Sequence, residues 1–479
     1  MKILLLVPPE ISAIEPYRSS KKLRDCVKVI KGFPLGLGYI AAVLQQNDFE
    51  VSILNAQIND FSMEQMMERI RGFSPQVIGI TTYTANIKTA VESARLSKAW
   101  NKDVVIVFGG PHATHDHRNL LENYGADFVV FGEGEFIFRD LAMALLKRAP
   151  LDNVKGIAYR DGADIKVNPG DLYIKDLDSL PYPARHLTDF NKYLGHFTHD
   201  LSCAAQVMTS RGCPYSCAFC SSGSTFSKWR GRRAQSVVEE IEFVLGRYPA
   251  VRSISFMDDN FTLDKARVEE ICRLLIKKGL NRYHWDCLSR CAGQDAKLLG
   301  LMKEAGCARI QYGVESASPA VLENINKAQD LAQVRNAVKL TKNAGIEAYA
   351  FFMVGNPGET EGTIRESVRF ALELKPTYAN WFVTQVYPGT KLAALQGQDD
   401  WVKYVYAPEI ENPSLYTHPC VPVFTPDGFD REMLKVRVSA IMKKFFWAYL
   451  PSNFLKWLKK LIRHPLYSLW YLKRMLLEN

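Results

Sequence analysis

Three cysteines in one short stretch constrain this chain of 479 residues more than any other feature. Cys213, Cys217 and Cys220 stand four and three positions apart, and the aromatic Phe219 directly precedes the last of them. Thiolates are soft ligands that hold iron–sulfur clusters, and three of them on one segment can bind three irons of a cubane. A structural zinc loop is the alternative, but zinc would need a fourth ligand nearby, and the next cysteine is the distant Cys272. The spacing therefore predicts an iron–sulfur cluster with one iron left open for a small molecule.

The residues after the cysteines alternate between strand-like and helix-like segments. Strands are predicted at Val207–Thr209, Ser253–Met257, Tyr283–Ser289, Arg309–Gly313 and Ile346–Val354. Helices are predicted at Val237–Leu245, Val268–Lys277, Lys297–Glu304, Val334–Asn343 and Thr363–Leu374. This order, with five units located, indicates a partial TIM-type barrel of the (β/α)6 kind, whose chemistry gathers at the carboxyl ends of the strands. The cysteine loop follows the first of these strands.

The first 150 residues show a similar alternation, which predicts an α/β domain with a doubly wound, Rossmann-like parallel sheet. Its strands are expected at Lys2–Val7, Glu50–Leu54, Val77–Thr81, Val104–Phe108 and Phe128–Phe131. Ligands of such sheets bind beyond the carboxyl ends of the strands, and glycines there let the backbone approach a ligand closely. Three sequence runs occupy those places, at residues 81–83 (Thr-Thr-Tyr), 109–112 (Gly-Gly-Pro-His) and 132–135 (Gly-Glu-Gly-Glu).

Turn residues and composition divide the chain into four parts. Residues 1–150 form the first domain, 151–200 a linker with a small hairpin, 201–395 the barrel, and 396–479 a helical extension. The turn at Asp161-Gly162 predicts the hairpin, with strands at Gly156–Tyr159 and Asp164–Val167. Ten cysteines are too few for a disulfide scaffold, and no apolar run is long enough to span a membrane, so a reducing, cytoplasmic compartment is expected.

The formal net charge of +9 is concentrated in the C-terminal extension. Residues 431–479 contain eleven Lys and Arg against two Glu, a difference of +9, which equals the net charge of the whole chain. Two amphipathic helices are predicted there, at Met433–Tyr449 and Ser452–Leu477, with aromatic and basic residues mixed. Such helices either lie at the surface of a membrane, here the inner face, or pack on a core with a solvated basic face. Both alternatives remain open, and membrane contact predicts that a chain ending near residue 430 stays soluble and keeps its cofactors.

The cysteine spacing, with the aromatic residue before the third cysteine, resembles the radical S-adenosylmethionine (SAM) superfamily. The resemblance implies a 4Fe–4S cluster on Cys213, Cys217 and Cys220 whose fourth iron chelates SAM. It also implies that SAM is bound by Phe219, Asp258, Asp259, Asn260, Arg290, Glu315, Ser316 and Gly355. Chemically, carboxylates suit the amino group of SAM, a guanidinium suits its carboxylate, and an acidic acceptor suits the ribose diol.

The first domain resembles the cobalamin-binding domain of that superfamily. The family places S-x-L after the third strand and Gly-Gly after the fourth, and this chain has Thr81–Tyr83 and Gly109-Gly110 there. The family's D-x-H-x-x-G motif is reduced to its glycine, Gly36, and Phe33 stands where the cobalt-ligating histidine would be. Cobalamin is thus expected without a protein histidine on cobalt. The resemblance implies cobalamin contacts from Gly36, Thr81, Thr82, Tyr83, Gly109, Gly110, Gly132, Gly134 and Glu135.

Together these resemblances predict a cobalamin-dependent radical SAM enzyme that methylates an unactivated carbon of a lipophilic or secondary-metabolite substrate. An electron donor such as a flavodoxin or ferredoxin is expected, and a nucleic-acid partner is not. One alternative is an oxidative cyclase or oxygenase of the anaerobic magnesium-protoporphyrin IX monomethyl ester cyclase type. Another is an iron–sulfur and cobalamin binding protein without turnover. The sequence assigns no catalytic side chain and does not identify the substrate.

Overall fold

The computed structural model describes residues 1–10, 32–171, 173–193 and 203–395, together with positions 433–434, 436–445 and 447–448. The strands are β1 Lys2–Val7, β2 Glu50–Asn55, β3 Val77–Thr81, β4 Val105–Gly109, β5 Phe128–Val130, β6 Ile157–Asp161, β7 Asp164–Asn168, β8 Cys203–Val207, β9 Ser210–Arg211, β10 Arg230–Gly231, β11 Val251–Phe256, β12 His284–Ser289, β13 Cys307–Glu315, β14 Glu347–Val354 and β15 Tyr378–Val383. The α-helices are α1 Leu35–Gln45, α2 Met63–Phe73, α3 Ile87–Trp100, α4 Pro111–His115, α5 His117–Asn123, α6 Gly134–Lys147, α7 Ser221–Thr225, α8 Ala234–Arg247, α9 Lys265–Lys277, α10 Ala296–Glu304, α11 Pro319–Asn324, α12 Leu331–Asn343, α13 Glu361–Leu374 and α14 Lys391–Leu395. Short 3₁₀ helices lie at Thr84–Asn86, Leu151–Asn153, Leu177–Ser179, Arg185–Leu187, Phe190–Lys192 and Leu280–Arg282.

The first sheet has the strand order β2-β1-β3-β4-β5-β6-β7, and β1 to β5 are parallel. Apolar side chains of β1 alternate between its two faces, because successive residues of a strand point to opposite sides. Leu4 and Leu6 pack under α2 and α3, whereas Ile3 and Leu5 pack under α1 and α6. Helices therefore cover both faces, and the predicted doubly wound domain is confirmed.

The predicted hairpin is present as β6 and β7, but it is not a separate unit of the linker. Its first strand pairs antiparallel with β5, at Phe128 opposite Tyr159 and Val130 opposite Ile157, so the hairpin extends the first sheet. Burial supports this placement, because Ile157 and Tyr159 belong to the same apolar cluster as β1. The hairpin is thus part of the first domain's core.

The second sheet is six parallel strands in the order β15-β14-β13-β12-β11-β8, which is the predicted open, partial barrel. Two details differ from the sequence analysis. The strand before the cysteine loop ends at Val207, because the backbone N–H and hydroxyl of Thr209 both donate to Asp258, at 2.7 and 2.5 Å. The sixth strand, β15, was not located from the sequence.

The cysteine loop lies where the carboxyl ends of the two sheets approach each other. Ala218, in the middle of the loop, belongs to the apolar cluster of the first domain, and Phe219 packs against that cluster. Val386 and Leu392, which follow β15, belong to the same cluster. The loop is therefore held between both domains rather than exposed at one end of the barrel.

A helix at the described positions between 433 and 448 packs on the barrel. Its buried residues recur at helical spacing and join the barrel core: Leu434, Val438, Ile441, Met442 and Phe445. The ring of Phe445 lies 5.7 Å from that of Trp381 in β15. For this helix the core-packed alternative is confirmed. A chain ending near residue 430 would lack these core residues, so its solubility and cofactor content stay a prediction, and the core packing speaks against it. The predicted second helix, Ser452–Leu477, lies outside the described residues. Among the described residues, no helix is long and apolar enough to cross a membrane.

Candidate active site

A cavity of about 770 Å³ lies between the first sheet and the cysteine loop. Its volume is within the range of about 300–1,000 Å³ that is typical of ligand pockets. One wall comes from the carboxyl ends of β1, β3, β4 and β5 and the turns that follow them. The opposite wall comes from the barrel, through Met208, Ser210, Arg211, Gly212, Ser222, Phe226, Met257 and Asp259. The cavity thus joins the places where the sequence predicts the two cofactors.

Glycines form the part of the cavity wall nearest the first sheet. Gly110 has a φ of 105°, and a Cβ there would lie 2.7 Å from the carbonyl oxygen of Thr82, so only glycine fits. A Cβ at Gly109 would meet nothing closer than 3.8 Å, and one at Gly36 would meet no atom within 4 Å. Side chains at Gly36 and Gly109 would therefore occupy open space, and their absence leaves a backbone surface against which a flat ligand can lie. Such a surface fits cobalamin.

The residues of the Thr81–Tyr83 run have three different environments. Thr81 lines the cavity, and Tyr83 lines it with 54% of its surface exposed. Thr82 is fully buried, and its hydroxyl donates to the Gly109 carbonyl oxygen at 2.9 Å. Thr82 therefore shapes the glycine turn and does not itself line the cavity. Of the predicted cobalamin residues, the others also line it: Gly36, Gly109, Gly110, Gly132, Gly134 and Glu135.

Phe33 borders the cavity without offering an atom that could bind a metal. It is buried among aromatic side chains, with its ring edge-on to Phe190 at 5.7 Å and to Tyr193 at 5.5 Å. Its backbone N–H donates to the side chain of Gln206 in β8 at 3.2 Å. No histidine is found among the described residues that line the cavity. That cobalamin binds without a protein histidine on cobalt stays a prediction.

The cysteine loop is supported from several sides by backbone hydrogen bonds. Gly212 opens it with a φ of 86°, and a Cβ there would lie 2.3 Å from the carbonyl oxygen of Lys228. The N–H of Cys213 donates to Phe226 O at 3.0 Å, and that of Ala218 donates to Ile325 O at 2.8 Å. The loop is therefore closed on itself at one end and attached to the barrel in its middle.

The three thiols are half-buried and lie close enough to influence one another. Burial raises the pKa of Cys213 and Cys220, while neighbouring backbone N–H groups act in the opposite direction. Within the described part of the chain, no three His, Cys, Asp or Glu side chains converge on a point that would hold one metal ion. A cubane does not require that convergence, since each thiolate binds a different iron. The donor set of three thiolates on one loop fits such a cluster.

The carboxylates of Asp258 and Asp259 have different functions in the fold. Asp258 is fully buried, and it accepts hydrogen bonds from Thr209 and from the hydroxyl of Ser210 at 2.6 Å. Its side chain therefore holds the segment that leads into the cysteine loop. Asp259 lines the cavity and accepts a bond from the hydroxyl of Ser222, at 2.8 Å, and another from the backbone N–H of Gly212. Burial raises its pKa. Of the two, Asp259 is the one placed to contact a ligand.

Arg290 is directly beside the cysteine loop. Its guanidinium lies 3.9 Å from the centroid of the Tyr215 ring, and its Nη1 is 3.6 Å from the sulfur of Cys217. Its Nη2 donates to the carbonyl oxygens of Lys327 and Ala328. The backbone N–H of Arg290 is 3.4 Å from the Asn260 side-chain oxygen, which brings these two predicted residues together.

Glu315 is already paired within the protein. Its carboxylate accepts a hydrogen bond of 2.7 Å from the ammonium of Lys327, and both side chains are almost fully buried. Lys327 also lies 5.9 Å from the ring of Phe219, so the pair is adjacent to the cysteine loop. The neighbouring Ser316 hydroxyl is 3.2 Å from that of Ser367 and therefore has a role in packing.

Gly355 begins a tight turn at the end of β14. Its φ is 91°, and its N–H and that of Asn356 both donate to the carboxylate of Glu359. Glu359 is buried, and the second oxygen of its carboxylate has no hydrogen-bond partner among the described residues. Burial raises the pKa of Glu359 to about 7, against the effect of the two N–H donors.

The sequence analysis did not identify several residues that organise the site. Lys327 and Asn326, which follow α11, contact Glu315 and Ser216. Arg230 donates to Glu133, a residue 97 positions away. None of these positions has a periodic or spacing signal, because their partners come from other elements.

Comparisons with known proteins match both domains of the chain. The B12 binding domain model matches residues 26–142, and the Radical SAM superfamily model matches residues 207–371. An uncharacterized methyltransferase of Pyrococcus horikoshii is 35% identical over 394 residues, which cover 82% of each chain. The anaerobic magnesium-protoporphyrin IX monomethyl ester cyclase of Rubrivivax gelatinosus is 31% identical over 438 residues, covering 88% of this chain and 76% of that protein.

Two solved structures share the fold at low sequence identity. The radical SAM methyltransferase TsrM from Kitasatospora setae, with cobalamin and a [4Fe-4S] cluster bound, aligns with a TM-score of 0.68 and 18% identity. That alignment covers 90% of this chain and 83% of TsrM. The cobalamin-dependent SAM radical enzyme OxsB, with aqua-cobalamin and SAM bound, aligns with a TM-score of 0.71 and 19% identity over 99% of this chain and 71% of OxsB.

Proposed function

The chain belongs to the cobalamin-binding radical SAM enzymes, and on that premise we propose that it transfers a methyl group to an unactivated carbon of a small molecule. Its cofactors are those of the family: a 4Fe–4S cluster, SAM and cobalamin. When bound, these groups supply a 5′-deoxyadenosyl radical and a transferable methyl group, and the protein positions the reactants and excludes water. The observation that carries the proposal is that one cavity is bordered both by the glycine turns and by Gly212 and Ser222, which lie on either side of the three cysteines.

Each cofactor is assigned to particular residues under this proposal. Cys213, Cys217 and Cys220 hold the cluster. Asp259 and Arg290, with the Glu315–Lys327 pair close by, surround SAM, while Asp258 and Ser316 support that site from behind. The backbone at the glycine turns, with Thr81 and Tyr83, holds cobalamin, and Thr82 fixes the shape of one turn.

The walls of the cavity support a lipophilic substrate. Met208, Met257 and Phe226 line the barrel side, and Met257 is 38% exposed. Thioether and aromatic surfaces favour apolar ligands and adapt to their shape. A substrate between the cofactors would therefore present an apolar carbon skeleton to this wall.

Methyl transfer is favoured over cyclisation because, of the two relatives described above, the methyltransferase has the higher sequence identity to this chain. Reconstituted protein should be incubated with reductant, metabolite extract and SAM that carries a trideuteromethyl group. Methyl transfer predicts 5′-deoxyadenosine and a product with the added mass of that group. Cyclisation predicts 5′-deoxyadenosine without the label, and a protein without turnover predicts neither.

Cysteine variants show whether the products depend on the cluster. The triple variant Cys213→Ala, Cys217→Ala, Cys220→Ala should lose its iron and give neither product. Cys203→Ala is the matched control, because Cys203 is a buried cysteine of β8 outside the loop, and it should retain both. Product formation by the triple variant at the wild-type rate would refute the assignment of the cluster.

Two further parts of the proposal concern partners. The cluster needs electrons, and a flavodoxin or ferredoxin is the proposed donor. We also propose that residues 449–479 make peripheral contact with an anionic membrane surface, which would present lipophilic substrates. The support is their sequence, which has six Lys and Arg against one Glu, with aromatic residues between them.

A further inference from the structure

Four charged side chains join the first domain to both ends of the cysteine loop. Glu133 and Glu135 belong to the turn at the start of α6, where Glu133 precedes the helix and Glu135 is its second residue. Arg211 in β9 and Arg230 in β10 lie on the two sides of the segment that carries the cysteines. Their side chains are buried, with 3–4% exposure for the glutamates and 11% for the arginines. These four residues are referred to below as the carboxylate–arginine clamp.

The clamp is a connected set of hydrogen-bonded ion pairs. Both oxygens of Glu133 accept from Arg230, at 2.8 and 2.9 Å, in a two-pronged arrangement. Glu135 accepts from Arg211 Nη2 at 2.6 Å, and Arg211 Nη1 also lies 3.4 Å from Glu133. A two-pronged guanidinium–carboxylate pair fixes orientation as well as distance. The clamp therefore restrains rotation between the two domains in addition to their separation.

Both ends of the cysteine loop are restrained together. Arg211 in β9 pairs directly with Arg230 in β10 through an antiparallel ladder, so the two arginines form one base for the loop. A second contact lies further along the loop, where His115 Nε2 is 2.7 Å from the hydroxyl of Thr225. The segment that carries the cysteines thus has a defined position relative to the first domain.

The same turn also borders the cavity. All four residues from Gly132 to Glu135 line it, and the glycines alternate with the two glutamates. Gly132 has a φ of 60°, a conformation that glycine adopts readily. The turn is at the start of α6, where negative charge is favoured by the helix dipole. One short turn therefore contributes to the cobalamin cavity and also binds the arginines that flank the cysteine loop.

We propose that the carboxylate–arginine clamp is a positioning device that sets the distance and orientation between cobalamin and the iron–sulfur cluster. Arg230 and the backbone N–H of Ile174 bind the carboxylate of Glu133, and Arg211 binds one oxygen of Glu135. The second oxygen of Glu135 has no hydrogen-bond partner among the described residues. The arginine contacts assign the effect of the clamp to the two segments that it joins, and not to a bond with either cofactor. Misplacement of reacting groups by about 1 Å can cost on the order of 100-fold in rate. The inference rests on the cofactor pair and not on which substrate receives the methyl group.

The burial of the clamp favours positioning over stability as its main contribution. Two buried charges lose hydration, and replacing such pairs by apolar residues of similar volume is often neutral or stabilising. Contacts between domains could therefore be equally stable with apolar side chains. The charged pairs additionally fix the orientation of the strands that precede and follow the cysteines, which apolar contacts would not do.

The test uses three variants of the full-length, cofactor-loaded protein. Glu135→Gln removes one charge, Arg211→Lys keeps the charge but loses the guanidinium geometry, and the double variant Glu135→Gln, Arg211→Gln leaves no uncompensated charge at that pair. Arg335→Gln combined with Glu373→Gln is the control, since that pair, 3.3 Å apart, is half-exposed and lies on the barrel helices. Iron and cobalamin contents are measured first.

The informative measurement is the magnetic interaction between cob(II)alamin and the reduced cluster, followed by electron paramagnetic resonance and its power saturation. The clamp variants should keep wild-type cofactor contents while this interaction weakens or becomes heterogeneous. Methylation of cob(I)alamin by SAM should also slow by on the order of 100-fold. The control should match wild type in both measurements.

Three results would overturn the proposal. An unchanged magnetic interaction in all clamp variants would mean that other contacts set the geometry. Loss of cobalamin with the cluster retained would make the turn a direct cobalamin site. If Glu135→Gln fails to fold, the double variant Glu135→Gln, Arg211→Gln replaces it in the test. A wild-type magnetic interaction in that double variant would likewise refute the proposal that the clamp positions the cofactors.

Discussion

Adjacent aspartates at the end of β11 illustrate how environment, and not residue type, assigns a role. Asp258 accepts three hydrogen bonds from the two residues after Met208 and has no exposed surface. Asp259 accepts one side-chain bond and faces the cavity. Sequence reasoning treats the two as equivalent ligands, because both follow the same strand. The structure separates them into a residue that shapes the cysteine loop and one that can contact a ligand.

This difference predicts that the same substitution lowers stability at one aspartate and ligand affinity at the other. Asp258→Asn places amide hydrogens opposite the donors of Thr209 and Ser210, so the free energy of unfolding should fall by about 1–3 kcal/mol. Asp259→Asn should change it by no more than about 0.5 kcal/mol while weakening SAM binding. Denaturant unfolding and equilibrium binding of SAM measure the two effects. Equal loss of stability in both variants would contradict this division of roles.

Glu359 predicts a pH dependence of stability. Burial raises its pKa from the ordinary value of 4.5 to about 7, so the folded state binds a proton more tightly than the unfolded state. The resulting stabilisation is fully present below pH 4.5 and is lost as the pH rises through 7. A shift of this size corresponds to about 3 kcal/mol. Between pH 5 and 8, denaturant unfolding of wild type should show this decline.

Glu359→Gln should remove the decline, because an amide does not titrate. The exposed Glu373→Gln serves as control and should retain it, as its carboxylate is about half-exposed. The comparison is the difference in slope between each variant and wild type, which cancels other titrating groups. A Glu359→Gln profile parallel to that of wild type would show that the carboxyl does not titrate in this range.

At the level of elements, the helix at positions 433–448 shows why a basic amphipathic pattern does not by itself indicate a membrane. Its apolar stripe is used in the barrel core, where Phe445 contacts Trp381. Arg437 pairs with Glu361 on the outer face. The same apolar stripe would suit a lipid surface, so the sequence pattern could not distinguish packing on the core from binding to a membrane. The distinction requires the apolar surface of the barrel, which the folded structure provides.

Two aromatic residues of this helix provide a matched comparison. Phe445 is 3% exposed and Trp447 is 48% exposed, so they differ in environment while sharing the helix. Phe445→Ala should lower the free energy of unfolding by about 3–5 kcal/mol, since it removes a buried ring and leaves a cavity. Trp447→Ala should change it by no more than about 0.5 kcal/mol. Thermal and denaturant unfolding test this, and a reversed order would place the helix away from the barrel.

Periodicity predicted most elements of both sheets, because parallel strands are buried runs that alternate with amphipathic helices. The strand β15 was missed, since Tyr378–Val383 mixes Asn and aromatic residues without a clear period. The proposed cluster ligands, the three cysteines, could be identified from their spacing alone. Lys327 was not, because its contact with Glu315 depends on the turn after α11, and a sequence pattern does not specify which turns meet.

At the scale of the whole molecule, both domains were predictable but their interface was not. Arg211 and Glu135 are 76 residues apart, and Arg230 and Glu133 are 97 apart. Nothing in either segment indicates its partner, because charged residues beside turns usually face solvent. Only the folded structure shows that the turn at the start of α6 binds the segment that carries the cysteines. The relation between the two cofactors is therefore a property of the tertiary structure.

The remaining question at this scale is whether residues 449–479 attach the enzyme to a membrane. Because the preceding helix is part of the core, the informative comparison is full-length protein against a chain that ends at residue 448, not one that ends near 430. Six Lys and Arg in the deleted segment, each contributing about 1 kcal/mol near an anionic surface, should make binding dependent on salt and anionic lipid.

Full-length protein should sediment with anionic vesicles at low salt and be released at high salt. The shortened chain should remain in the supernatant with its iron and cobalamin contents unchanged. Equal sedimentation of the two chains would place any membrane contact elsewhere, and loss of cofactors from the shortened chain would make the segment part of the fold.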